Sequence, residues 1–242
     1  MPIAYLRALT APERTRRTNL HLGISLAFIA GAINAGGFLA TERYTSHVTG
    51  LVSSMADDVA VGEWALAATG VVALLAFLGG AALSAIQINW ARRNGSRHVC
   101  ALPLLTEAAL LLGFGVLGSL HHIIGTQLLV TVGLLCFVMG LQNAMITKIS
   151  HAEIRTTHLT GLVTDMGIEL GKLLYWNAGA PGEARVQANQ ARLKLQGSLV
   201  LAFFVGGVVG ALGFKHLGYA LTVPLAIGLA ALSSVQLLPP RD

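Results

Sequence analysis

The chain has little charge and few cysteines. Only 11% of its 242 residues are charged, where an ordinary soluble domain carries about a quarter. That shortage, with 54% hydrophobic residues and a mean hydropathy of +0.68, excludes a soluble domain built around one core. The two cysteines, Cys100 and Cys136, lie at or inside predicted helices. They indicate no disulfide framework and read as small buried hydrophobes. The chain holds no phosphate-binding glycine loop, nucleophile elbow, zinc-protease pair or haem-attachment signal. Nothing therefore points to an enzyme or a cofactor. A net charge of +5 and a pI near 9.6 raise nucleic acid as a partner. The basic residues sit between apolar segments, however, as in loops that face an inner leaflet, and nucleic acid drops out.

What the chain does have is apolar length. Stretches of about twenty residues recur throughout, enough to cross about 30 Å of hydrocarbon. Eight segments are expected: 20–40, 46–61, 64–89, 99–119, 122–147, 157–175, 195–214 and 217–238. The basic lead (Arg7, Arg14, Arg16, Arg17) before the first could pass for a signal peptide. Against that, the first run carries Asn34-Ala35, which an internal segment repeats as Asn143-Ala144. It is read as a membrane helix.

A longer phrase also occurs twice. Thr45-Ser46-His47-Val48-Thr49-Gly50-Leu51-Val52 returns as Thr156-Thr157-His158-Leu159-Thr160-Gly161-Leu162-Val163. Ala76-Phe77 with Gly79-Gly80 is echoed by Ala202-Phe203 with Gly206-Gly207, and Pro103 by Pro224. The matches keep their order, which marks an internal duplication.

Segments 46–61 and 157–175 are the short or polar ones. As a helix the first rises only about 24 Å, short of a crossing. Loop charges decide their course. If neither crosses, the loops holding Arg92/Arg93/Arg97, Lys148/Arg155 and Arg185/Arg192/Lys194 all join the N-terminal arginines inside, and the Asp57, Asp58, Glu63 corner lies outside. If both cross, that bias inverts. The positive-inside rule favours the first arrangement. The expected fold is an all-α membrane protein of six transmembrane helices plus two short broken or re-entrant helices, in two inverted-topology repeats. Residues 1–19 form a basic cytoplasmic segment, 20–119 and 120–238 the repeats, and 177–194 a cytoplasmic linker, all in one membrane domain.

At Gly31-Ala32-Ile33-Asn34-Ala35-Gly36-Gly37-Phe38 and Ser46-His47-Val48-Thr49-Gly50 the chain resembles the YoaK-like bacterial inner-membrane proteins of unknown function, over about 20–238. Members often carry Asn directly after that Gly, where this chain has Leu51 and Leu162. The resemblance implies an integral membrane protein and supplies no substrate.

Function is therefore read from the residues. Paired short helices in inverted repeats point their N-termini at a shared site near the bilayer midplane. The substrate-binding candidates are Asn34, Ser46, His47, Thr49, Gly50, Asn143, Thr157, His158, Thr160 and Gly161. Thr45-Ser46 and Thr156-Thr157 are expected as N-caps, and Gly50 and Gly161 as places of close approach. Glu107 and Asp165 are candidates for proton coupling, since a carboxylate in a membrane segment is costly unless used or partnered. Each has a plainer reading. In it the histidines tie helix ends, the asparagines glue helices, the threonines bond their own helix carbonyls, and Glu107 lies shallow. No third ligand accompanies the histidines at zinc spacing, so no metal is expected. Adjacent Ser46 and His47 point different ways on a helix, against a hydrolase. The expectation is a multi-pass inner-membrane transporter of a small polar solute or ion, anions favoured, with both termini cytoplasmic. A passive channel or a non-transporting scaffold or sensor is the alternative, and a homo-oligomer stays open.

Overall fold

The computed structural model describes residues 16–41, 44–96, 98–120, 128–177 and 185–237. Most of the 1–19 segment, Arg97, the start of segment 122–147 and part of the 177–194 linker lie outside them. The elements are α1 (Arg16–Thr41), α2 (Val48–Ala60), α3 (Trp64–Arg93), α4 (Ala101–Ser119), α5 (Leu128–Ile149), α6 (Leu159–Leu174), α7 (Gln190–Leu217), a 3-10 turn (Gly218–Leu221) and α8 (Thr222–Leu237). Among the described residues there is no strand.

Five stretches are long and apolar enough to cross a membrane: Leu20–Leu39, Trp64–Arg93, Ala101–Ser119, Leu129–Ile149 and Gln190–Ser233. The last runs through α7 and the turn into α8 and is interrupted at Gly218, whose φ of 56° few other residues adopt. By helix length and hydropathy this is a multi-pass membrane protein. The long helices are apolar almost all round, while α2 and α6 each carry distinct polar and apolar faces.

The helices interlock between the two sequence copies. α1 packs along α7 and α3 along α5, and glycines set both contacts. A Cβ on Gly31 would strike the Phe203 carbonyl, and one on Gly206 the Phe28 carbonyl. At the other contact, a Cβ on Gly140 would strike the Phe77 carbonyl, and one on Gly80 the Phe137 carbonyl. The backbones thus touch directly, as small residues permit inside a membrane. Gly80 and Gly206 play equivalent parts, so the correspondence runs one residue differently from the doublet match of Gly79-Gly80 with Gly206-Gly207.

The same contacts fix direction. Gly133 faces Val72 and Gly80 faces the Leu141 nitrogen, so α3 and α5 are parallel. Phe28 meets Gly206 and Gly36 meets Phe214, so α1 and α7 are parallel. Gln142 Nε2 donates to the Leu26 carbonyl while Leu135 lies against Gly37, so α1 and α5 are antiparallel. Gln87 donates to Thr106, and Ser233 to the Ala101 carbonyl while Thr222 lies against Gly115. α4 is therefore antiparallel to α8, and the Gln87–Thr106 bond sets its start beside the end of α3. The starts of α1, α4 and α7 share one face with the ends of α3, α5 and α8.

α1 and α5 form the centre, with Leu22, Leu26, Ile33, Leu135, Met139 and Ile146 fully buried. α3 and α7 flank them with bare apolar faces. Leu75 and Leu78, and Leu201 and Phe204 at the matching positions 126 residues on, are each more than half exposed. In water such surface would cost about 25 cal/mol per Å²; against lipid it costs nothing. Cys100 and Cys136 are buried, as expected.

Candidate functional site

After α1 the chain turns back on itself until Ser46 reaches Asn34. The Ser46 amide and hydroxyl both donate to Asn34 Oδ1, at 3.3 and 2.9 Å. After α5 the second copy repeats this: the Thr157 hydroxyl donates to Asn143 Oδ1 at 2.8 Å and the Thr156 hydroxyl at 3.5 Å. Asn143 spends its own amide on the Met139 carbonyl, at 2.8 Å. Each asparagine therefore pins the returning chain partway along its helix. These bonds tie each helix to its own loop, a different task from the interhelical glue of the plainer reading.

The short helices begin just beyond. Their N-caps are His47 and His158, neither with a side-chain capping bond. This corrects the assignment of capping to Thr45-Ser46 and Thr156-Thr157: the Ser46 and Thr157 hydroxyls are already committed to the asparagines. The first intrahelical bonds run from Leu51 N to His47 O (3.0 Å) and from Leu162 N to His158 O (3.1 Å). The N–H groups ahead of them have no acceptor within the helix. The paired glycines also have a local reason. A Cβ on Gly50 would strike the His47 ring, and one on Gly161 the His158 ring. Gly50 and Gly161 thus make room for the histidine of their own phrase.

Both helix starts open into one cavity of about 630 Å³. Asn34, Ser46, His47 and Thr49 line it from the first copy, and Asn143, Thr157, His158 and Thr160 from the second. Phe77 and Phe203, another matched pair, complete its wall with Val48 and Leu159. The fold thus gathers eight of the ten binding candidates; Gly50 does not line this cavity, and Gly161 lines the second one. Tyr44, Thr147 and Arg155 also line the cavity and were not singled out from sequence. Tyr44 and Arg155 stand 111 residues apart, each just before a copy of the phrase. That position held the signal, but its two residue types differ.

The acids lie elsewhere. Asp165 borders a second cavity of about 460 Å³ that shares His158 and Arg155 with the first. Its Oδ2 accepts from Arg192 Nη2 at 2.8 Å and Gln196 Nε2 at 3.1 Å. Glu169, almost fully buried, receives Lys172 Nζ at 2.9 Å and the Asn189 amide at 2.7 Å. The Lys172 hydrogen bond first, then that of Asn189, hold its carboxyl below the usual carboxylate range. Glu107 is fully buried in α4, lines neither cavity, and among the described residues has no hydrogen-bond partner on either oxygen. Among the described residues no three His, Cys, Asp or Glu side chains gather to hold a metal ion.

Residues 22–235, both copies of the phrase included, match the family model described as a protein of unknown function, DUF1275. The chain belongs to the DUF1275 family. No curated protein and no solved structure matches it. The DUF1275 description names no activity, so the chemistry of this cavity carries the functional reading.

Proposed function

We propose that this DUF1275 protein moves a small polar solute or ion across a bacterial-type inner membrane, through a site between its two short helices. In this reading α1, α3, α4, α5, α7 and α8 span the bilayer. α2 and α6 enter without crossing, and the copies form inverted-topology repeats. The opposed directions of α1 and α5, and of α4 and α8, support that arrangement. So does the gathering of Arg92, Arg93, Lys148, Arg192 and Lys194 on one face, which we place in the cytoplasm with both termini.

The observation that carries the reading is the meeting of both copies of the phrase in one cavity. Two helix N-termini, two histidines and six hydroxyls (Tyr44, Ser46, Thr49, Thr147, Thr157 and Thr160) face that space, and among the described residues no carboxylate lines it. Donors and positive dipole ends favour an anion or an electron-rich group. We read the site as binding without covalent chemistry. For proton coupling Asp165 is better placed than Glu107, because its cavity also touches His158.

Flux into proteoliposomes tests this. Saturating uptake that responds to a proton gradient marks a coupled carrier, and linear flux a channel. The variant His47→Ala/His158→Ala should lower flux at least tenfold while remaining folded. Full transport by that variant rejects the site, and absence of wild-type flux for any solute favours a scaffold or sensor.

A further inference from the structure

Among the described residues, Arg155 is the one permanently charged side chain lining the central cavity. It also lines the second cavity, so it stands in the wall the two share. Its Nη1 lies 3.5 Å from His158 Nδ1, where the guanidinium donates and the imidazole accepts. The ion pairs among the described residues join Lys172 to Glu169 and Arg192 to Asp165. Arg155 takes part in neither.

The backbone around Arg155 is held firmly. The Ser150 hydroxyl receives the Ile154 amide at 3.0 Å. The buried Ile154 side chain packs where a Cβ on Gly23 would sit. Two residues beyond, Thr157 is fixed to Asn143. With its backbone so anchored, Arg155 makes no ion pair among the described residues. Glu153 and Asp165 border the second cavity with it, Asp165 being paired with Arg192, while no acid among the described residues lines the central cavity, so on that side the guanidinium is a cation for a ligand to neutralise. The first copy places Tyr44 at the matching position, and it too lines the cavity. The duplication therefore became asymmetric at the residue that sets the cavity's charge.

We propose that Arg155 is the anion-selecting residue of the central cavity: a small oxyanion or carboxylate binds there, its oxygens paired with the guanidinium. The proposal deepens the transport reading, and its binding arm can be tested without it. Purified full-length protein in detergent is titrated with nitrate, sulfate and acetate at constant ionic strength, and melting is followed. At least one anion should stabilise the wild type, with the half-saturating concentration raised tenfold or more in Arg155→Gln and less in Arg155→Lys, which keeps charge without the planar fork. The ligand-free variants should melt with the wild type, because the side chain is exposed.

In proteoliposomes the same anions should outpace potassium, and Arg155→Gln should erase the preference. Wild-type anion binding with no flux overturns the transport reading and leaves this proposal standing. Equal anion response in wild type and Arg155→Gln, or no response in either, overturns the proposal.

Discussion

At Gly206 and Gly80 a hydrogen atom decides how close two helices come. A Cβ there meets a backbone carbonyl, which cannot rotate away as a side chain can. Gly206→Val should force α7 from α1 and destabilise the protein by about 1–3 kcal/mol, the range for overpacking. Gly171→Ala is the control. Nothing lies within 4 Å of its Cβ, so it should hold or raise the melting temperature, by up to about 1 kcal/mol of helix propensity. Equal melting of the two variants would refute the close-approach account. The asparagines act on the loops instead. Asn143→Ala removes the acceptor of Thr157 and should speed amide exchange in 150–158 while sparing the core of α5, at a cost of about 1–2 kcal/mol. The Asn pair was legible because it was duplicated. The role of Gly50 and Gly161 was not, since a repeat tells that space is needed but not what fills it.

Among the elements, the two short helices were readable as exceptions from their length and polarity. Their first residues were misread because capping propensity is local, and Asn34 lies twelve residues before the Ser46 hydroxyl it claims. The acids of α6 fasten that helix to the start of α7, through Asp165 to Arg192 and Glu169 to the Asn189 amide. The Asp165 pair is exposed enough that it adds little stability. Glu169 gives a pH dependence with a definite sign. Folding lowers its pKa, so its contribution is full above the ordinary carboxylate range and fades as pH falls through the lowered value. Acidification should therefore raise hydrogen exchange at the α6 end and at Asn189, and Glu169→Gln should remove that acid-induced step. An unchanged step in the variant would assign it to other groups.

For the whole molecule the crossing directions matter most. The acidic corner at Asp57, Asp58 and Glu63 lies at the start of α3, and Arg92 and Arg93 at its end. The proposed topology therefore requires opposite labelling by an impermeant thiol reagent, in a background with the native cysteines replaced. Asp57→Cys should react from outside intact cells, and Arg93→Cys only after permeabilisation. Labelling of both from one side is incompatible with six crossings.

The sequence by itself determined that this is a membrane protein, that it is duplicated, and that Asn34, His47 and their copies are the polar residues the duplication repeats. Those are matters of composition, period and repetition, which a linear chain carries openly. Only the tertiary structure decided that each copy's first helix packs on the other copy's third, that both phrases open on one cavity, and that Arg155 stands in its wall. Such facts depend on which distant backbones can touch. That is governed by glycines facing carbonyls 57 to 178 residues away, and no local propensity records it.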